Sequence, residues 1–142
     1  LGSTNADVHP PFKRPVGERA GNTALNKVYG KKVPCEGPAF KAFKTSGSSI
    51  LVQMEQAAGL TTTDGKKPAQ FEIAGTDGIY HPATAEITNR KGGTAVIRLS
   101  SPEVKSPKNA RYCWNRFVTP NLVNGNQLPA RPFRTDEPVL KK

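Results

Sequence analysis

The sequence predicts a mainly β chain, a β-sandwich or jelly-roll-like C-terminal module preceded by a loop and one helix. Three observations carry this. From Val33 onward, short stretches rich in β-branched and aromatic residues alternate apolar with polar, and turn residues bound them. Glycine and proline number 13 each in 142 residues, many turn-formers for one domain, which suits short strands joined by tight loops. Only one segment, Pro15 to Tyr29, spaces its apolar residues at helical intervals.

Taken in order, Leu1 to Phe12 reads as loop, because Pro10-Pro11 cannot donate to a ladder and biases the residue before it toward extended geometry. In the helix that follows, Pro15 suits the first turn, where its missing N–H is an orphan anyway, and Glu18 suits the positive N-terminal end. Val16, Ala20, Ala24 and Val28, with Leu25 beside them, form a narrow apolar stripe, and Gly30 stops the helix. Gly21-Asn22-Thr23 weakens it, since a helical glycine costs about 1 kcal/mol against alanine. The stripe then docks on the β module or frays, and a weakly held helix is the expectation.

Strands are expected over Phe40–Thr45, Ile50–Glu55, Phe71–Ile73, Thr84–Thr88, Thr94–Leu99 and Ala110–Trp114. Gly59-Leu60, Asp64-Gly65, Asp77-Gly78 and Lys91-Gly92-Gly93 supply turns between them. Beyond Trp114 the segment is rich in Asn, Pro and Gly, which predicts an ordered but irregular tail packed by Leu122, Leu128 and Phe133. Short strands at this spacing indicate a sandwich.

Several residues invite a chemical reading. In Asn5-Ala6-Asp7-Val8-His9-Pro10, Asp7 can reach the imidazole of His9, fix its tautomer and favour the imidazolium that forms during proton transfer. That is the base-and-orienter half of a hydrolase triad, although on spacing alone a loop histidine beside a solvated carboxylate is the plainer reading. His81, the other histidine, has no second ligand nearby in sequence and reads as a loop residue at a strand end. Tyr112 and Trp114 offer aromatic faces for a sugar, but as strand residues both are expected in the core. Arg134 and Asp136 can pair and pin the tail. Cys35 and Cys113 allow one disulfide and fit no metal spacing; a buried free thiol is the expectation.

The net charge of +10 would suit a polyanion, but the 21 Lys and Arg are scattered, without a basic run or interleaved aromatics. A solvated basic surface follows, with no nucleic-acid partner. No apolar run reaches the roughly 18 residues that span a membrane, so no membrane partner is expected. No leader pattern is visible, which says nothing about export; a secreted or periplasmic setting is the expectation.

Asp7-Val8-His9-Pro10, Lys13, Pro15-Val16-Gly17-Glu18-Arg19 and Tyr29-Gly30 resemble the end of the catalytic domain of the sialate O-acetylesterase family, carbohydrate esterases of the SGNH-hydrolase type. Phe71-Glu72-Ile73-Ala74-Gly75-Thr76-Asp77-Gly78 with Tyr80-His81-Pro82-Ala83 resembles a second signature of that family. Arg111-Tyr112-Cys113-Trp114, Asn121-Leu122-Val123-Asn124, Leu128-Pro129-Ala130 and Pro132-Phe133-Arg134-Thr135-Asp136 resemble its ending. The matches are collinear and run nearly end to end. The chain departs from the pattern at Gly21-Asn22-Thr23, where the family has a larger apolar run, and at Cys113, commonly alanine there.

The resemblance implies catalytic roles for His9 and Asp7. SGNH enzymes at large carry Asp-x-x-His, which would place the acid at Ala6, but the nearer family carries Asp-x-His, matching Asp7. It also implies that the nucleophilic serine lies in a Gly-Asp-Ser block upstream of this chain; Ser3 lacks the strand-turn-helix setting a nucleophile needs. Residues 1–32 would then be the end of an α/β SGNH catalytic domain and residues 33–142 a β-sandwich-like accessory domain. The partners would be an acetylated carbohydrate and the upstream catalytic domain, without cofactor or metal, and this chain alone would be inactive. The other reading is a non-catalytic carbohydrate-binding or domain-interface module.

Overall fold

A computed structural model describes residues 13–136. One helix, α1 (Arg14–Lys27), leads into ten short strands: β1 (Ala39–Ser46), β2 (Ser49–Glu55), β3 (Thr61–Thr62), β4 (Phe71–Ala74), β5 (Tyr80–Pro82), β6 (Thr84–Lys91), β7 (Thr94–Ser100), β8 (Asn109–Tyr112), β9 (Leu122–Val123) and β10 (Phe133–Arg134). The strands make two four-stranded antiparallel sheets, β1-β2-β7-β6 and β10-β8-β4-β5, and a two-stranded ribbon of β3 and β9. The mainly β, sandwich-like architecture is the expected one.

Alternation sets which side chains enter the core, because successive residues of a strand face opposite sides. Ile50, Val52 and Met54 of β2 and Ala95, Ile97 and Leu99 of β7 are buried, and they face Phe71, Ile73, Ala110 and Tyr112 of the other sheet. Aromatic rings tie the sheets together. Phe40 of β1 stacks on Phe133 of β10 with centroids 4.9 Å apart, and Phe71 lies 4.5 Å from Tyr112. Register shifts between Phe40 and Ala42 and between Ile87 and Asn89 bulge both outer strands of the first sheet, bending and twisting its edges.

The tail is more regular than expected. After β8 it contributes two strands, β9 beside β3 and β10 beside β8. Two buried asparagines hold its path. The Asn121 amide nitrogen donates to Asp64 Oδ1 and the Lys67 carbonyl, and its oxygen accepts from the Ala69 N–H. Asn124 donates to the Glu36 and Gln56 carbonyls and accepts from the Asn126 and Leu128 N–H groups. Together the two satisfied amides stitch the backbone at Glu36, at Gln56 and over residues 64–69 to the 121–128 segment. Gly37 is needed beside them, since a Cβ there would lie 1.9 Å from the Pro129 carbonyl oxygen.

The helix starts one residue before Pro15 and ends before Val28, close to its expected bounds, with Gly30 in the left-handed region at φ 64°. Glu18 is not in the first turn; it sits one turn in and pairs with Arg14 at 2.7 Å. The stripe neither docks on the sandwich nor unwinds. No helical residue is buried, and Val16, Leu25, Val28 and Tyr29 stay exposed. A hydrogen bond from Asn26 to the Val33 carbonyl and a Lys27–Glu36 ion pair of 2.8 Å tether its C-terminal end. No helix among the described residues is long and apolar enough to cross a membrane.

Replacing Asn124 by alanine strips partners from two carbonyls and two N–H groups. It should lower unfolding free energy by roughly 2–4 kcal/mol in urea titrations, while Val28→Ser on the exposed stripe should change it by less than about 0.5 kcal/mol.

Candidate functional site

On the outward side of the second sheet, the strands that bury Phe71, Ile73, Ala110, Tyr112 and Phe133 present the residues between them. Register places Glu72 of β4 opposite Arg111 of β8, and Arg111 opposite Arg134 of β10. Arg111 grips Glu72 with two parallel hydrogen bonds, Nε to Oε2 at 2.8 Å and a terminal nitrogen to Oε1 at 3.1 Å. Its guanidinium lies 4.0 Å from the ring centroid of Tyr80, at the start of β5. Bidentate geometry and an aromatic face both favour arginine over lysine at this position.

Arg134 repeats the device, gripping Asp136 through Nε at 2.9 Å and through a second bond to the other carboxylate oxygen. Its guanidinium lies 5.0 Å from the Trp114 ring. All four charged side chains are half-buried. The Arg134 hydrogen bonds hold the Asp136 carboxyl down at about 2, with a smaller contribution from Tyr80. Burial, and then the neighbouring Asp136 carboxylate, push the Tyr80 phenol above its usual range. The Tyr80 hydroxyl is itself buried, beside that carboxylate.

Trp114 corrects an expectation. It lies outside β8, and its side chain is exposed rather than in the core, with 46% of the residue's surface accessible. The cause is Cys113, whose φ of 52° turns the chain off the line of the strand, while its N–H bonds to the carbonyl of Gln70, itself at φ 69°. Tyr112, by contrast, is fully buried as expected. The row of contacts therefore runs Trp114, Arg134, Asp136, Tyr80, Arg111, Glu72 across four strands and the segments beside them.

The other candidates are scattered. Asp7 and His9 lie outside the described residues. His81 is a strand residue rather than a loop one: it pairs with Ile73 in β5, and its Nδ1 lies 2.8 Å from Glu103 Oε2. Its bonded partner is a carboxylate and not a serine hydroxyl. Cys35 and Cys113 are free thiols, half-buried rather than fully buried, and burial raises the Cys113 thiol above its usual range. Among the described residues no group of three His, Cys, Asp or Glu side chains is placed to hold a metal. The Arg134–Asp136 pair forms as expected. Sequence reading missed the membership of Glu72, Tyr80 and Arg111, although Glu72 between Phe71 and Ile73, and Arg111 between Ala110 and Tyr112, already carried the outward-facing signal.

No profile of a known protein family matches the chain, and none of the curated proteins does. Among solved structures, it is similar to a novel carbohydrate acetylesterase from Xanthomonas citri, at a TM-score of 0.84 and 34% identity over 96% of this chain. The chain spans 31% of the length of that enzyme. The likeness is in sequence as well as fold, and it relates this chain to a carbohydrate esterase.

Because the carboxyl of Asp136 is depressed on folding, it contributes stability that is complete above its unfolded value near 4 and is lost as pH falls toward about 2. Thermal melts from pH 5 to pH 2 should therefore show wild type more stable than Asp136→Asn at pH 5. The gap should close across that window.

Proposed function

We propose that this chain is the C-terminal part of a carbohydrate O-acetylesterase that hydrolyses acetyl esters on sugars by a Ser-His-Asp mechanism. The observation that carries this reading is the similarity to the Xanthomonas citri carbohydrate acetylesterase over 96% of the chain. The resemblance of the Asp7–His9 and Val16-Gly17-Glu18-Arg19 segments to sialate O-acetylesterases of SGNH type adds the finer assignment.

In this mechanism an upstream serine attacks the acetyl carbonyl while His9 takes its proton. His9 then gives that proton to the departing sugar oxygen, leaving an acetylated serine. Water attacks the acyl group as His9 again accepts a proton, and acetate leaves with the serine restored. Asp7 accepts the other ring N–H of His9, fixes its tautomer and stabilises the imidazolium. No metal or cofactor is needed. Residues 1–32 would belong to the catalytic domain and residues 33–142 to its accessory module. The exposed stripe of Val16, Val28 and Tyr29 would pack on the rest of that catalytic domain.

A second reading, a carbohydrate-binding module without catalysis, is favoured by the exposed Trp114 beside two ion pairs. Acetate release separates the two. The chain alone should release none from an acetylated sugar, and the chain combined with its upstream catalytic segment should be active. His9→Ala should then lower the rate by about a thousandfold or more. Activity from the chain alone, or a His9→Ala protein as fast as wild type, would overturn the catalytic assignment; sugar binding with no hydrolysis in either arrangement would favour the binding module.

A further inference from the structure

From the contact row on the second sheet, we infer a binding subsite for a neutral acetylated saccharide, with Trp114 as its platform and Arg134, Asp136 and Glu72 as its hydrogen-bonding groups. The inference rests on the carbohydrate reading above and adds to it the class of sugar and the residues that hold it. Three features point to this ligand.

The first is the exposed indole. Trp114 has a guanidinium against its ring at 5.0 Å and is still 46% accessible, so ring surface remains free for the apolar side of a sugar. A large aromatic side chain gains most by covering such a surface. The second is the supply of polar groups at fixed positions. A carboxylate accepts at roughly four sites and a guanidinium carries five N–H donors. Each ion pair uses two of each, so acceptors and donors remain for sugar hydroxyls, held in planes that the two-point grip makes rigid.

The third is charge. The two arginines and two carboxylates of the row cancel, although the chain as a whole carries +10. A site for an anionic sugar would leave a cation unpaired. Here both guanidinium groups are already matched, which favours a neutral pyranose over a sialic acid.

Trp114 is the only tryptophan of the chain, so its emission reads this site alone. Titration of the full chain with acetylated xylo-oligosaccharide should give a saturable change in intensity and wavelength, and O-acetylated sialic acid should give a weaker one. By calorimetry Trp114→Ala should weaken binding about tenfold or more, with its far-ultraviolet circular dichroism unchanged because the side chain is exposed. Arg134→Gln should weaken binding as well. No saturable response, binding untouched by Trp114→Ala, or a stronger response to the sialic acid would each overturn the inference. So would an emission change caused by the upstream catalytic segment alone that blocks the sugar, since the face would then be a docking surface. None of these readouts needs catalysis, so acetate release with no tryptophan response would sink the subsite and leave the esterase reading standing.

Discussion

Phe133 and Arg134 pair with Tyr112 and Arg111, and both the core and the candidate site hang on that two-residue strand. Facing inward, Phe133 stacks on Phe40 and lies 6.1 Å from Tyr112, so one ring closes the aromatic cluster between the two sheets. Facing outward, Arg134 reaches Asp136 and Trp114. A strand this short cannot hold itself by its ladder. Its position is fixed from behind, by Asn121 and Asn124 and by the close passage of Gly37 under Pro129. The Asn-Leu-Val-Asn run thus does structural work: its ends are satisfied amides, and Leu122 and Val123 between them are buried.

The charged row shows how such a fold keeps ionic groups at partial burial. An unpaired charge there would be costly, and a pair repays desolvation only when geometry is good and the remaining donors are met. Both arginines meet the first condition with two-point grips, and both add an aromatic face, Tyr80 for Arg111 and Trp114 for Arg134. The same side chains that are expensive to bury are the ones that present directional hydrogen bonds at a rigid surface. Helix α1 is the opposite case, an apolar stripe with nothing described against it, held to the sandwich only near its C-terminal end.

Much of this was legible in the sequence because it is local. Alternation in Ser49–Glu55 and Thr94–Ser100, and turn residues such as Gly92, placed the main strands within a residue or two, apart from the longer run of β6. What escaped depends on distant partners. β3, β9 and β10 are two residues each and exist only through pairing with segments far along the chain. Trp114 was misplaced because strand propensity extends through it, whereas the left-handed turn at Cys113, a residue without glycine's freedom, ends the strand before it. Arg134 with Asp136 is legible because a single residue separates them, but Glu72 with Arg111 needs the β4–β8 register. The Asp7–His9 pair stays a sequence reading, lying outside the described residues.

We propose that this chain is one part of a larger carbohydrate esterase. The most direct test purifies the protein from its source with an antibody to the β module and reads its intact mass and N-terminal sequence. A protein of which this chain makes up roughly a third, in line with its 31% coverage of the similar acetylesterase, with a Gly-Asp-Ser block ahead of Asp7, is the predicted result. A native protein that begins close to Leu1 would contradict it.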